Sequence, residues 1–362
     1  MIRLTALSLA IVTPVAAAAE APRVVTDIPP VHALVLQVLG ESGTAELLLE
    51  AGGNAHTYQL RPSQARAVAD ADLVFWVGPG LTPWLDRTLD GIGGSAKAVA
   101  LIEAEGTFRR DFGETGAHDD DDHGHDDHGH DDHGHNDHAH DDHGHDAKHG
   151  HDHAAEDAHD HDHDHDHDHD HDHEQDHADA DGHDGHDHSG LDPHAWLDPA
   201  NARAWLRVIA AELSAADPAN AEAYAANAAA ADAEIAALDT ALAARLKPVA
   251  GKPFTVFHDA YGYFAGHYGL TVAGSIALGD AAAPGAARLA ELRAELDEGD
   301  VVCAFPEAQH DPALVATVAE GTGVRIGGTL DPSGSTLPAG PGLYAALLTA
   351  MADTLIDCLD AG

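Results

Sequence analysis

Six histidines lie outside a long histidine-rich run, and three of them stand in segments suited to metal ligation. His56 lies in Gly52-Gly53-Asn54-Ala55-His56-Thr57-Tyr58, directly after an apolar stretch. His194 lies in Leu191-Asp192-Pro193-His194-Ala195-Trp196-Leu197-Asp198-Pro199, bounded by prolines. His258 closes an apolar stretch in Phe257-His258-Asp259-Ala260-Tyr261-Gly262-Tyr263-Phe264. Asp331 occupies a similar position in Gly328-Thr329-Leu330-Asp331-Pro332-Ser333-Gly334. Three imidazoles and one carboxylate satisfy tetrahedral zinc. Singly, a loop histidine is more often a surface residue than a ligand. Their shared placement at predicted strand ends and Pro-bounded loops is what carries weight.

The run itself is the strongest signal. Between His118 and His188 stand 26 histidines and 28 acidic residues, with plain Asp-His alternation from His159 to His173. Such a segment has almost nothing apolar to bury and builds no folded core. It can bind divalent transition metals through imidazole and carboxylate, zinc foremost. A solvated charged linker would have no need of histidine on this scale.

The other polar candidates carry less. His32, beside Pro29-Pro30 in the first strand-to-helix loop, reads as a cap or surface residue. His267 reads as a C-terminal helix residue favoured by the dipole, and His310 as the decoration of a helix start. Glu307 follows the Cys303 strand. It reads as a solvated loop carboxylate, with a role behind a ligand imidazole as the alternative.

Composition excludes one class of partner. The insert's 28 acids against a single base, Lys148, contribute −27 of the chain's −46, and the remainder is also acidic. Nucleic acid is therefore not a partner, since both parts repel phosphate. At the N-terminus, Arg3 precedes the apolar run Leu4 to Val15, and Ala16 to Ala19 offers a cleavage site before Glu20, which reads as an export signal. No Cys near that point suggests a lipid anchor, and no other stretch is long and apolar enough to cross a bilayer. The mature protein is expected to be soluble and periplasmic. An exported chain allows Cys303 and Cys358 to pair, which would add roughly 4 kcal/mol by loop-entropy reasoning; two buried thiols are the alternative.

Apolar runs alternate with helical stretches on both sides of the insert. Strands are predicted at 23–26, 45–49, 73–77 and 97–102, then at 254–257, 270–276, 301–305 and 324–328. Helices are predicted at 31–39, 62–71, 82–89, 286–296, 312–321 and 343–359. This is the pattern of parallel sheets wrapped by helices, an α/β fold. Between the blocks, Asn201 to Ala215 is helical. Ala219 to Leu246 then forms an Ala-rich helix about 40 Å long, ended by Lys247-Pro248. The expected organisation is an export signal (1–19), an α/β lobe (20–117), the His/Asp-rich insert (118–188), the end of that lobe (189–218), a rigid linking helix (219–247) and a second α/β lobe (248–362).

The motifs together resemble the periplasmic zinc-uptake substrate-binding proteins of ABC transporters, the ZnuA type within the cluster A-I metal-binding family. The matching segments are Ala55-His56-Thr57-Tyr58-Gln59-Leu60-Arg61-Pro62-Ser63, Asp192-Pro193-His194-Ala195-Trp196-Leu197, Phe257-His258-Asp259-Ala260-Tyr261-Gly262-Tyr263 and Gly328-Thr329-Leu330-Asp331-Pro332. The resemblance covers nearly the whole mature chain outside the insert. It implies two lobes, each with a parallel four-stranded sheet, joined by one long helix. His56, His194 and His258 become ligands of one tight zinc site, with Asp331 or a water in the fourth position. Cys303 and Cys358 fall where the family's disulfide lies. Manganese-binding relatives place a carboxylate at the position of His258, so imidazole there favours zinc. Some zinc members carry Glu just before the first histidine, where this chain has Ala55.

The function so implied is a monomeric receptor, not an enzyme. It captures zinc between the lobes and delivers it to an ABC permease, while the insert adds weaker sites. The competing reading is a periplasmic zinc buffer or metallochaperone acting mainly through the insert. A zinc hydrolase lacks support, because no His-Glu-x-x-His helix is present and four ligands leave no place for an activated water.

Overall fold

Each of the eight predicted apolar runs forms a short strand in the computed structural model, which describes residues 21–92, 96–113, 190–277, 285–298 and 300–361. The first sheet contains β1 (Val24–Thr26), β2 (Ala45–Leu47), β3 (Leu73–Trp76) and β4 (Lys97–Ala100), in the order β2-β1-β3-β4. The second contains β5 (Phe254–Val256), β6 (Val272–Ser275), β7 (Cys303–Ala304) and β8 (Arg325–Ile326), in the matching order β6-β5-β7-β8. Every pairing is parallel. The central strands β1 and β3 are buried along their length, as a sheet covered on both faces requires, whereas the edge strand β4 is half exposed.

Proline sets the helix starts. Pro29-Pro30 open α1 (Pro29–Leu39), Pro62 opens α2 (Pro62–Asp70), and Pro83 opens α3 (Pro83–Ile92). Pro199 opens α4 (Pro199–Ala216), where the Asp198 side chain accepts from the amide of Ala200 at 2.8 Å. A proline in the first turn loses no helical hydrogen bond, and its fixed φ suits the helix. His32 therefore lies inside α1 and not in a loop. It is 8% exposed, its Nε2 is 3.1 Å from the Ala45 carbonyl, and burial holds its pKa below the ordinary imidazole value.

Following a short 3-10 turn at Pro218–Asn220, α5 (Ala221–Leu246) runs for 26 residues, about 39 Å at the helical rise. It packs along α4 and against α1. The remaining helices are α6 (Gly262–Tyr268), α7 (Ala286–Glu298), α8 (Pro312–Ala319) and α9 (Leu343–Leu359), the last also packed on α1 and α5. One core of buried residues reaches through both sheets, from Val24 and Leu34 through Trp196 and Tyr224 to Phe254 and Tyr344. A disulfide joins Cys303 on β7 to Cys358 on α9, as the sequence reading expected.

These elements belong to one compact unit; the second unit, residues 120–184, lies outside the described residues, as do the expected export signal and most of the insert. Among the described residues no helix is long and apolar enough to cross a membrane.

Candidate metal centre

In each sheet the strand order reverses between the first and third strands, and ligands in such folds bind beyond the carboxyl ends at that point. In the second sheet His258 follows β5 and Glu307 follows β7, so the two flank the reversal. In the first sheet Asp27 follows β1. Its buried carboxylate accepts from the amides of Ile28 (2.8 Å) and Val77 (2.9 Å), tying the two central strand ends together.

His56 sits on the loop after β2. The Asn54 side chain accepts from the amides of His56 (2.8 Å) and Thr57 (3.3 Å), an Asx turn that aims the imidazole. Trp84 of α3 clamps that turn from behind, its indole N–H donating to the Ala55 carbonyl at 2.6 Å.

His194 is held differently. Asp192 Oδ1 accepts from the His194 amide (2.9 Å) and from its Nδ1 (2.8 Å). The Trp196 indole donates to the Pro332 carbonyl (2.8 Å), and the Tyr344 hydroxyl donates to the Trp196 carbonyl (2.8 Å). These two bonds pin the turn carrying His194 to the opposite half of the molecule.

His258 has its own carboxylate. Its Nδ1 lies 2.6 Å from Glu307 Oε2, which also accepts from the Tyr261 hydroxyl at 3.1 Å. Burial, reinforced by the Glu307 charge, pushes the Tyr261 pKa well above its ordinary value, so that hydroxyl remains a donor. Glu307 is 3% exposed. The sequence reading of a solvated loop carboxylate is corrected: the chain folds it inward against the His258 imidazole. Its other oxygen is 3.5 Å from Nε2 of His310, whose ring stacks on Phe257 with centroids 4.1 Å apart.

A carboxylate behind each Nδ1 assigns the proton of His194 and of His258 to that nitrogen and leaves Nε2 bare. The two Nε2 atoms face each other at 3.4 Å. Two nitrogens on one tetrahedral zinc stand roughly 3.3–3.4 Å apart, given bonds of about 2.0–2.1 Å. The His56 ring closes the group, with its centroid 5.4 Å from that of His194 and 6.1 Å from that of His258. One ligand atom from each of the three lies within 4.8 Å of the others. The cavity they line, together with Leu81, Trp196 and Ser333, measures about 20 Å³, room for an ion or a water. Two nitrogens held at this spacing with the His56 ring beside them suit a shared cation, so the residues fit zinc.

Asp331 does not join the three histidines. Its carboxylate accepts from the amides of Ser335 (3.1 Å) and Thr336 (2.8 Å) and from the Thr336 hydroxyl (2.6 Å). It organises the 331–336 turn, whose Ser335 carbonyl in turn accepts from the Gly52 amide at 3.1 Å, next to the His56 loop. His267 also lies apart from the three. Its Nδ1 is 3.0 Å from Asp198 and its Nε2 2.8 Å from Asp239. Sequence reasoning gave no role to Asp192, although an acid two residues before a candidate ligand was a usable signal.

The family model described as ZnuA, zinc-uptake complex component A periplasmic, matches residues 24–358. The chain belongs to this family. It is 49% identical over 345 residues to the high-affinity zinc uptake system protein ZnuA of Paracoccus denitrificans, covering 95% of this chain and 94% of that one. Identity to the protein of the same name from Brucella abortus is 41% over 342 residues, covering 94% and 93%. Among solved structures, a crystal structure of ZnuA superposes with a TM-score of 0.64 at 21% identity, covering 94% of this chain and 99% of that one. That likeness establishes the shared fold, two parallel sheets flanked by helices.

Proposed function

We propose that this chain is the periplasmic receptor of a high-affinity zinc uptake system, capturing Zn²⁺ at Nε2 of His194 and His258 and at a ring nitrogen of His56, and passing it to an ABC permease. It is a transport receptor and not an enzyme; zinc is its cargo. The observation that carries the reading is the pair of carboxylate-locked imidazoles whose Nε2 atoms stand 3.4 Å apart. Membership of the ZnuA family and the names of its relatives in Paracoccus and Brucella support zinc as the ion.

In this reading zinc meets three preset nitrogen donors in a cavity of its own size, and water takes the fourth position. The occupied hydrogen bonds of Asp331 support water there, with Asp331 acting through its turn. Protons compete for the same imidazoles, so affinity falls in acid. Residues 1–19 act as the export signal. The insert supplies additional weaker sites that raise the local zinc concentration around the tight one.

The test is a zinc competition titration on protein lacking residues 118–188, beside the same protein carrying His258→Ala. One tight site that persists without the insert and collapses with the substitution supports the receptor. Loss of tight binding on removing the insert would leave the zinc buffer in its place.

A further inference from the structure

We infer that Arg110 and Tyr263 are positioning residues for zinc capture, together holding Asp192 in place behind His194, with Tyr263 reaching it from the opposite half of the molecule. The inference rests on the receptor reading above and extends it beyond the groups that touch the imidazoles.

Asp192 is 1% exposed and divides its carboxylate. Oδ1 serves His194, through its amide and its Nδ1, while Oδ2 lies 3.9 Å from Nε of Arg110. A carboxylate so buried requires compensating charge, and the Arg110 guanidinium, itself 9% exposed, supplies it. Arg110 is held in turn by α6. Its Nη1 donates to the Gly262 carbonyl, and its guanidinium carbon sits 5.8 Å from the Tyr263 ring centroid. The Tyr263 hydroxyl accepts from the Arg110 amide (3.1 Å) and donates to the Asp192 carbonyl (3.0 Å). One phenol therefore bonds both backbone segments at once. The first residue of α6 makes room for this: a Cβ on Gly262 would come within 2.7 Å of the Arg110 guanidinium carbon.

Arg110 and Asp192 also form the end of a short antiparallel pairing. Phe112 donates to the Gly190 carbonyl (3.0 Å), Asp111 bridges Leu191, and the Asp192 amide donates to the Arg110 carbonyl (2.9 Å). Two residues beyond that last bond stands His194. The α6 entry thus braces both orienting carboxylates: Tyr261 bonds Glu307 behind His258, and Tyr263 with Arg110 holds Asp192 behind His194. Groups behind a metal-bound imidazole fix its orientation and strengthen its nitrogen as a donor. Arg110 and Tyr263 act at one further remove, through Asp192.

The experiment uses the full-length chain and reads the first, tightest equivalent of metal in two ways, by zinc competition against a chromophoric chelator and by the d–d absorption of bound Co²⁺. Arg110→Gln and Tyr263→Phe are compared with wild type, with Arg110→Lys as the conservative variant and Arg293→Gln on α7 as a remote control. The expected result is a loss of zinc affinity on the order of tenfold in Arg110→Gln and in Tyr263→Phe, with a shifted Co²⁺ band. Arg110→Lys should recover part of the loss, and Arg293→Gln should match wild type. Tyr263→Phe removes one hydroxyl and keeps the ring, which gives a reading even if Arg110→Gln fails to fold. A lowered melting temperature with unchanged affinity and an unchanged Co²⁺ band would assign these residues to fold stability alone and overturn the inference. Absence of a tight first equivalent in wild type would overturn the receptor reading and this inference with it.

Discussion

Nδ1 of His258 lies 2.6 Å from Oε2 of Glu307, a bond between the ends of two strands 49 residues apart in the chain. It decides which nitrogen of His258 faces the cavity. In Glu307→Gln the amide can present either its oxygen or its NH₂ to Nδ1, so the preference for the Nδ1–H form weakens. Zinc affinity should fall by about 10- to 100-fold, with little change in the circular dichroism of the folded chain. A competition titration on the variant checks this; unchanged affinity would mean that Glu307 does not orient the ligand.

Asp331 should respond differently from the histidines. Its carboxylate closes the 331–336 turn through the amides of Ser335 and Thr336, and that turn contacts Gly52 near His56. Asp331→Ala removes acceptors from those donors and should cost about 1–3 kcal/mol of stability. Its effect on zinc affinity should be smaller than that of His258→Ala. Thermal melting and zinc titration of both variants separate the two roles, and equal losses of affinity would make Asp331 a ligand.

His267 carries a pH signature. Burial opposes its charged form, but bonds to Asp198 and Asp239 outweigh burial and push its pKa up to about 9. A folded-state pKa above the ordinary 6.5 means that the folded form binds the proton more tightly. The stabilisation is therefore complete below about pH 6.5 and is lost as pH rises through about 9. In chelator-treated protein, the melting-temperature gap between wild type and His267→Gln should be wide at pH 6.5 and narrow by pH 9.5. A gap independent of pH would show that the imidazole is not charged in the fold.

The disulfide between Cys303 and Cys358 spans 55 residues and ties β7 to α9. By loop entropy its loss should cost roughly 4 kcal/mol, an upper-range figure. The Cys303→Ala, Cys358→Ala double variant should melt well below wild type while retaining a tight zinc site, because neither cysteine touches the cavity. Differential scanning calorimetry with a parallel titration measures both; loss of zinc binding in protein that is still folded would contradict this.

Much of the fold was legible because its signals are local. Apolar runs of a few residues separated by proline-started helices named the parallel sheets, and three of the four candidate ligands meet at one cavity. What escaped depends on distance along the chain. Nothing near Glu307 reveals that His258 and Tyr261 will fold onto it. Nothing near His267 reveals two acids contributed by α4's cap and by α5. Asp331 lies apart from the three histidines for a related reason: its motif marks a loop at the cavity, and the Ser and Thr that follow supply donors to its carboxylate. His32 lies in a helix and not in the expected loop because two successive prolines open α1.

Gly262 and Arg110 are complementary in shape, since a single methyl group at position 262 would strike the guanidinium. A change at either position bears on the other. A side chain at 262 evicts Arg110 and exposes the buried Asp192 charge, while a small residue at 110 leaves a void under a glycine that no longer has cause to be there. The pair should therefore be inherited as one unit, more tightly linked than two residues 152 positions apart would otherwise be.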